Sequence, residues 1–350
     1  MSGFITGVSC EPGYTVLENA PLQARNTFRV LARAELLVDI SRSDVLPLLF
    51  GLPALRDGRV LVLGEGSNVL LTRDWPGVVV ALSATGIRVC EQNDDGARIR
   101  VEAGENWDDF VRWSLAKGYA GLENLALIPG TVGAAPIQNI GAYGVEVAEF
   151  IGSVEAYDRR AAGIVTIDRS ACAFAYRDSI FKREPNRYIV TAVEFLLPRR
   201  RDLRLDYAGV REELAAMGVD APTPVTVAEA VMRLRTRKLP NPALIGNAGS
   251  FFKNPVLPAE HAQALKREHP SLPVWPAGTA TAKLPAAWFI EASGFKGLRE
   301  GDAGVSAQHA LVLVNHGHAT GAQLWALAKR IMAEVESRFG VRLEPEPLII

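Results

Sequence analysis

Apolar residues along the chain fall first into short runs. Residues 59–63 (RVLVL) form one, ending at Gly64, and residues 77–82 (GVVVAL) form a second. Residues 99–103 (IRVEA) alternate instead, as a half-buried strand does. Strand-like runs return at 151–157 (IGSVEAY), 163–167 and 188–196 (YIVTAVEFL). Between them the period changes. In 106–118 (NWDDFVRWSLAKG), Trp107, Phe110, Val111, Ser114 and Leu115 share one helical face, with Asn106 as N-cap and Gly118 just past the end. Residues 129–144 (PGTVGAAPIQNIGAYG) carry too much glycine and proline for regular helix or strand. The charge run 198–204 (PRRRDLR) reads as a solvated linker. Beyond it, 225–238 predicts an amphipathic helix capped by Thr226, and 286–292 and 321–338 predict two more. HALVLVNHG at 309–317 reads as a buried strand and the final VRLEPEPLII as extended chain. The pattern is that of an α+β protein with a boundary near 200–225 and a smaller α+β unit after it.

Composition adds bounds. At 350 residues the chain has room for about two domains. It is 48% hydrophobic and 22% charged, which suits a folded protein with a sizeable core. Lys plus Arg (38) balances Asp plus Glu (39) to a net charge of −1, so nothing electrostatic points to nucleic acid or an anionic membrane. Cys10, Cys90 and Cys172 are widely spaced and form no CxxC pair, which fits a reducing compartment. The N-terminus lacks a basic stretch followed by an apolar one, and runs such as ALVLV at 310–314 are too short to span a bilayer. A cytoplasmic location is expected.

Two glycine-rich loops carry the strongest chemical signal. The first, Gly64, Glu65, Gly66, Ser67 and Asn68, directly follows an apolar strand; the second runs from Pro129 through Gly130, Thr131 and Gly133. Glycine lets a ligand approach the backbone, and successive N–H groups in such turns suit a pyrophosphate. The first loop is not the dinucleotide fingerprint, since the third glycine would fall on Val69, and no GK[ST] makes it a Walker loop. Arg177, within YRDSIFK, can anchor an ion pair or hold a carboxylate in a fork. Ser250, within GNAGSFFKNP, lacks a GxSxG elbow, which disfavours a hydrolase nucleophile. His316 and His318 have no third ligand nearby, so no metal is expected. Glu346 stands between prolines and apolar residues, unlike most terminal glutamates.

Taken together and in order, these elements resemble the UDP-N-acetylenolpyruvoylglucosamine reductase (MurB) family. The carrying residues are NTF at 26–28, GEGSNVLL at 64–71, IPGTVGAAPIQNIGAYGVEV at 128–147 and YRDSIFK at 176–182. RxxKLPNP around 235–242, GNAGSFFKNP at 246–255, KLPAAWFIEASGFKG at 283–297 and LEPE at 343–346 complete the set. YRDSIFK points to the form with a tyrosine-bearing substrate loop. The resemblance implies an FAD-binding PCMH-type (vanillyl-alcohol-oxidase-like) fold over 17–200, in subdomains of about 17–83 and 84–200. It further implies a substrate-binding domain over 225–338 and a terminal strand, 339–350, returning to the active site.

The same resemblance implies the activity: NADPH-dependent reduction of UDP-N-acetylglucosamine enolpyruvate to UDP-N-acetylmuramate, a peptidoglycan precursor, through tightly but non-covalently bound FAD. Hydride passes from flavin N5 to the enol-ether methylene, and Ser250 protonates the adjacent carbon. Arg177 meets the developing charge, assisted by Glu346. The pyrophosphate is expected on 64–68 and 129–133, with Gln138, Asn139 and Gly141 near the ribityl or isoalloxazine. Lys238, Asn254 and Lys283 match substrate- or nucleotide-contacting positions, and Tyr207 is the best match to the mobile-loop tyrosine. Residues 259–282 match poorly and carry no assignment. A monomer is the family default. The competing readings are a flavin oxidase of the same superfamily and a non-catalytic nucleotide-binding protein. No histidine precedes His261, so a tether to an early histidine is absent, and intact Arg177, Ser250 and Glu346 oppose the second.

Overall fold

The computed structural model describes residues 13–207 and 209–350; Cys10 and the rest of the N-terminal dodecapeptide lie outside the described residues. The chain forms two compact units. One gathers the described residues up to Ala20 with Ala34–Glu65 and Trp75–Arg235; the other gathers Pro21–Arg33, Gly66–Asp74 and Thr236–Ile350. The chain passes between them inside the first glycine loop, after Glu65.

The first unit holds two sheets of different character. Arg33–Ile40 and Val60–Leu63 both run parallel to Trp75–Leu82, which lies between them, and Tyr14–Pro21 completes the sheet. The central strand buries Val78, Val79, Val80 and Ala81 in succession. Burial on both faces is why GVVVAL is a continuous apolar run. The second sheet is antiparallel, in the order Gly163–Asp168, Ile151–Asp158, Tyr188–Pro198, Gly96–Glu102 and Ile87–Gln92. Here alternation is strict: Ala97, Ile99 and Val101 point inward, while Arg98 and Arg100 pair with Glu194 at 3.1 Å and Glu155 at 2.8 Å. On the inner face lies the helix Trp107–Ala116, whose Phe110 ring stands 4.7 Å from Phe195. Its ends are as expected. The Asn106 side chain accepts from the N–H groups of Asp108 and Asp109, and Gly118 takes φ +78°.

Three expectations need correction. The helix Pro224–Lys238 is capped by Thr223, not Thr226. The Thr223 Oγ1 accepts from the Thr226 N–H at 3.2 Å, and the Thr226 Oγ1 accepts from the Thr223 N–H at 2.8 Å. Two threonines three apart form a reciprocal cap, and the first of them is the cap. Residues 309–317 are buried over much of their length, yet only Leu313–Asn315 is strand; before it the chain turns, with the Val312 N–H donating to the His309 carbonyl. The 198–204 run is not simply solvated. Arg201 pairs with Glu149 and stacks on Phe150 at 4.6 Å, the Arg204 carbonyl accepts from Asn124, and Leu203 packs on the core.

Glu123 is a buried acid in this unit, 2% exposed, and its carboxylate accepts the Gly121 N–H at 2.6 Å. Burial raises its pKa, while that N–H and the positive charge of Arg201 oppose the rise. A carboxyl whose folded pKa is raised contributes most at low pH, and the fold loses that contribution as pH rises through the folded value. Glu123→Gln keeps an acceptor for Gly121 and removes the charge. It is expected to melt above the wild type at pH 8 and close to it at pH 4; a lower melting temperature at pH 8 would show the carboxylate to be net stabilising.

The second unit has two small sheets. One orders Val256–Pro258, Thr281–Lys283 and Trp275–Pro276; the other orders Arg299–Glu300, Ala303–Val305 and Leu313–Asn315. Around them lie the helices Ala259–Glu268, Ala286–Ala292 and Gly321–Phe339. Phe289 and Phe339 meet edge-on at 5.2 Å, and Trp288 joins them. The long helix is capped by Thr320 through the Gln323 N–H. The early segment Pro21–Arg33 is built into this unit. Asn315 Nδ2 donates to the Phe28 carbonyl at 2.9 Å, and Phe28 packs edge-on against Phe251 at 6.1 Å. The extended C-terminus is also built in: Leu348–Ile349 runs parallel to Val69–Leu70. Among the described residues, no helix is long and apolar enough to cross a membrane.

Candidate functional site

In the first unit the two glycine loops, far apart in sequence, lie side by side. A Cβ on Gly64 would come 2.7 Å from Thr131 Oγ1, and one on Gly133 would come 2.5 Å from the Ala103 Cβ. Glycine is required at both for the backbones to approach. Glu65 staples the loops: one carboxylate oxygen accepts from Asn106 Nδ2 at 2.9 Å, the other from the Gly130 N–H at 3.1 Å. Both carboxylate oxygens are thereby engaged within the protein. The N–H groups of Val132 and Gly133 donate to Glu105 and Ala103. Within 129–133 the Thr131 hydroxyl borders Gly64. Two glycine turns held side by side, with the Thr131 hydroxyl at their border, fit the diphosphate of a flavin dinucleotide.

Arg177 is presented by a tight turn in which Ala175 and Asp178 exchange backbone hydrogen bonds at 3.0 and 3.1 Å. Its own φ is +54°, a left-handed conformation that costs a non-glycine residue about 1 kcal/mol or more. The guanidinium is held from behind: Nη2 donates to the Gly141 carbonyl at 2.6 Å and Nη1 to the Asn139 carbonyl at 3.4 Å. The Tyr176 ring lies 5.3 Å from its carbon, and Lys182 Nζ donates to the Arg177 carbonyl. Asn139 is 1% exposed, and its carboxamide is engaged inside the protein. Nδ2 donates to Glu146 at 2.7 Å and to Ala175, and Oδ1 accepts from the Ala148 N–H. Any flavin contact from Asn139 therefore comes from its main chain. Tyr207 is 52% exposed and stands edge-on to Tyr143 at 5.2 Å.

Arg235, quoted above only as part of a motif, also belongs to this unit. Its Nε donates to the Leu127 carbonyl at 3.2 Å, and burial lowers its pKa. No charge pattern along the helix distinguishes it from Arg233, which pairs with Glu229.

In the second unit, Ser250 sits between two anchors. Before it, buried Asn247 accepts the Gly249 N–H at 2.9 Å and donates to the Pro240 and Ile245 carbonyls; Gly249 takes φ +67°. After it, Phe251 and Phe252 are fully buried. The C-terminal segment lies along this stretch. The Lys253 N–H donates to the Glu344 carbonyl at 2.9 Å and the Glu346 N–H to the Phe251 carbonyl at 2.8 Å. Ser250 and Glu346, nearly a hundred positions apart, are thus on adjoining chain segments. Asn254 caps the helix Ala286–Ala292 by accepting the Ala286 N–H at 3.0 Å. Lys283 lies opposite Val256 in the sheet, and Val256 is two residues after Asn254. Lys238 ends the helix Pro224–Lys238, and its charge, after burial, pushes the imidazole pKa of His309 down. The His309 ring accepts the Leu311 N–H on Nδ1, which leaves any proton of the neutral ring on Nε2. Among the described residues no cluster of three or more metal-ligating side chains occurs.

Comparison with known proteins fits both halves. The FAD binding domain family matches residues 54–167, and the C-terminal domain of UDP-N-acetylenolpyruvoylglucosamine reductase matches 241–350. A UDP-N-acetylenolpyruvoylglucosamine reductase of Xylella fastidiosa (strain M12) is 53% identical over 340 residues, 97% of each chain. The chain belongs to the UDP-N-acetylenolpyruvoylglucosamine reductase family. Another member, from Xanthomonas euvesicatoria pv. vesicatoria, is 53% identical over 339 residues, again 97% of each chain. The crystal structure of UDP-N-acetylenolpyruvylglucosamine reductase (MurB) from Thermus caldophilus matches the fold with a TM-score of 0.65 at 24% identity, covering 96% of this chain and 98% of its own. An FAD binding domain followed by the reductase C-terminal domain is therefore the architecture of this family member, and FAD is its cofactor.

Proposed function

We propose that the chain reduces the enolpyruvyl ether of UDP-N-acetylglucosamine to the lactyl ether, forming UDP-N-acetylmuramate for peptidoglycan. NADPH is the reductant, and the protein acts as a cytoplasmic monomer. The observation that carries this reading is 53% identity, over 97% of both chains, to proteins that bear this activity in their names. The FAD-binding domain lies mainly within 17–200 and the substrate-binding domain mainly within 225–338, except that Pro21–Arg33 and Gly66–Asp74 pack with the second unit and the helix Pro224–Lys238 packs, up to Arg235, with the first; 339–350 is the strand that returns to the site.

Bound FAD, held without a covalent link, supplies the two-electron step between NADPH and the enol ether. The chain's own residues manage charge and protons. As the double bond is reduced, negative charge develops on the substrate carbon and spreads into the adjoining carboxylate. Arg177 meets that charge. Two backbone carbonyls already hold its guanidinium, so little reorganisation is needed when the charge appears. Ser250 gives its hydroxyl proton to the carbon and regains one from solvent. A serine hydroxyl is a weak acid in water, so the step needs neighbouring charges and hydrogen bonds that favour its transient alkoxide or a proton relay. Glu346 organises the developing acid from the neighbouring segment. Lys238, Asn254, Lys283 and Tyr207 bind the nucleotide and phosphates of the substrate.

An anaerobic single-turnover experiment tests this reading. NADPH is expected to bleach the flavin, and UDP-N-acetylglucosamine enolpyruvate to restore the oxidised spectrum without oxygen. Bleaching with no reoxidation would overturn the substrate, and a preparation with no 450-nm absorbance would overturn the cofactor as well.

A further inference from the structure

Glu346 stands in an unusual stretch of backbone. Its neighbours Pro345 and Pro347 have fixed φ and no N–H, so it alone in that triplet carries a donor. That donor goes to the Phe251 carbonyl, beside Ser250, at 2.8 Å. Its carbonyl accepts from Asn68 Nδ2 at 3.3 Å, and two residues on, the Leu348 N–H donates to the Asn68 carbonyl at 3.0 Å. Asn68 therefore brackets Pro347, which is buried. With both backbone poles of Glu346 tied and both flanking φ angles set by proline, the base of the glutamate side chain has little freedom beyond its own χ angles. The pairing continues through Leu348–Ile349 against Val69–Leu70 and ends where Thr72 Oγ1 donates to the Ile350 carbonyl at 2.6 Å.

We propose that Asn68 is a positioning residue for Glu346: its side-chain amide serves the C-terminal segment and sets the place of the glutamate beside the segment that carries Ser250. This rests on the reading that Glu346 takes part in substrate reduction. It changes what the GEGSN loop is for. The loop's glycines serve close backbone approach, while its terminal asparagine holds the far end of the chain.

A double-mutant cycle on the holoenzyme tests the proposal, with anaerobic flavin reoxidation by UDP-N-acetylglucosamine enolpyruvate as the kinetic readout. Asn68→Asp keeps the size and removes the amide donor. It is expected to slow reoxidation about tenfold in the wild-type background and less than twofold in Glu346→Ala, because a residue that acts through another has no effect once that other is gone. Amide exchange in the 346–350 peptide, which needs no turnover, is expected to quicken about tenfold, as for loss of one hydrogen bond. Leu348→Pro removes the second tie without touching Asn68; Leu348 is 56% exposed, so the side chain itself is dispensable. It is expected to reproduce both effects. Equal slowing in the two backgrounds, unchanged exchange, or loss of FAD in Asn68→Asp would each overturn the assignment; the last would give the side chain to the cofactor. Wild-type reoxidation in Glu346→Ala alone would instead overturn the role of Glu346, and with it the need to position it.

Discussion

Ser250→Ala is expected to leave flavin reduction by NADPH intact and to slow reoxidation by the enolpyruvyl substrate about 10²–10⁴-fold. That range corresponds to about 3–5 kcal/mol of barrier. The two halves separate because the hydroxyl is needed only when a carbon must be protonated. The local structure makes the substitution a clean one. The turn before Ser250 is held by Asn247, and the segment after it by two buried phenylalanines and the Glu346 N–H, so the hydroxyl is not what shapes the backbone. Stopped-flow absorbance at 450 nm reads both steps on one sample. Reoxidation at the wild-type rate would mean that another group donates the proton, and the assignment of Ser250 would fall.

Deletion of residues 345–350 is expected to abolish turnover and to lower stability, with flavin retained. The stability loss follows from the bonds removed. Leu348 to Asn68, Ile350 to Leu70 and Thr72 to Ile350 are backbone links, and the Glu346 bonds go with them. At about 0.5–1.5 kcal/mol for each of the five bonds, their sum is about 2.5–7.5 kcal/mol. Flavin persists because Gly64, Glu65 and the 129–133 loop belong to the other compact unit. Thermal melting and the 450-nm spectrum of the truncated protein check the two parts. Glu346→Gln, which keeps every backbone bond, separates the carboxylate from the scaffold: if it turns over like the wild type, the terminus acts only as scaffold.

Much of the secondary structure was legible locally. The Trp107–Ala116 helix, with its Asn106 cap and Gly118 beyond the end, needed nothing beyond a 3.6-residue period and two capping rules. GVVVAL and IRVEA differ as a strand of the parallel sheet, buried on both faces, differs from a half-buried antiparallel one, and the structure bears out both. The misplacements have physical causes. Thr223 and Thr226 offer equivalent hydroxyls, and the reciprocal bond between them decides which is the cap. The 198–204 charge run reads as solvated because nothing near it in sequence shows Phe150 and Glu149 waiting for Arg201.

The site divides in the same way. By itself the sequence determined the residue types, the family pattern, the flavin cofactor and the short-range turns: glycines where backbones must approach, a serine in a small-residue turn, a glutamate between prolines. These depend on neighbours a few positions apart. Only the tertiary structure decided that Gly64 and Thr131 adjoin, that Glu65 staples the two loops, that the Asn139 side chain is turned inward to set the Arg177 loop, and that Glu346 is pinned between Phe251 and Asn68. Each is a pairing across many tens of residues. The periodicity of a strand states that it will pair and which face it buries, but an unpaired N–H or carbonyl has the same chemistry at every position. Its partner is chosen when the whole chain packs.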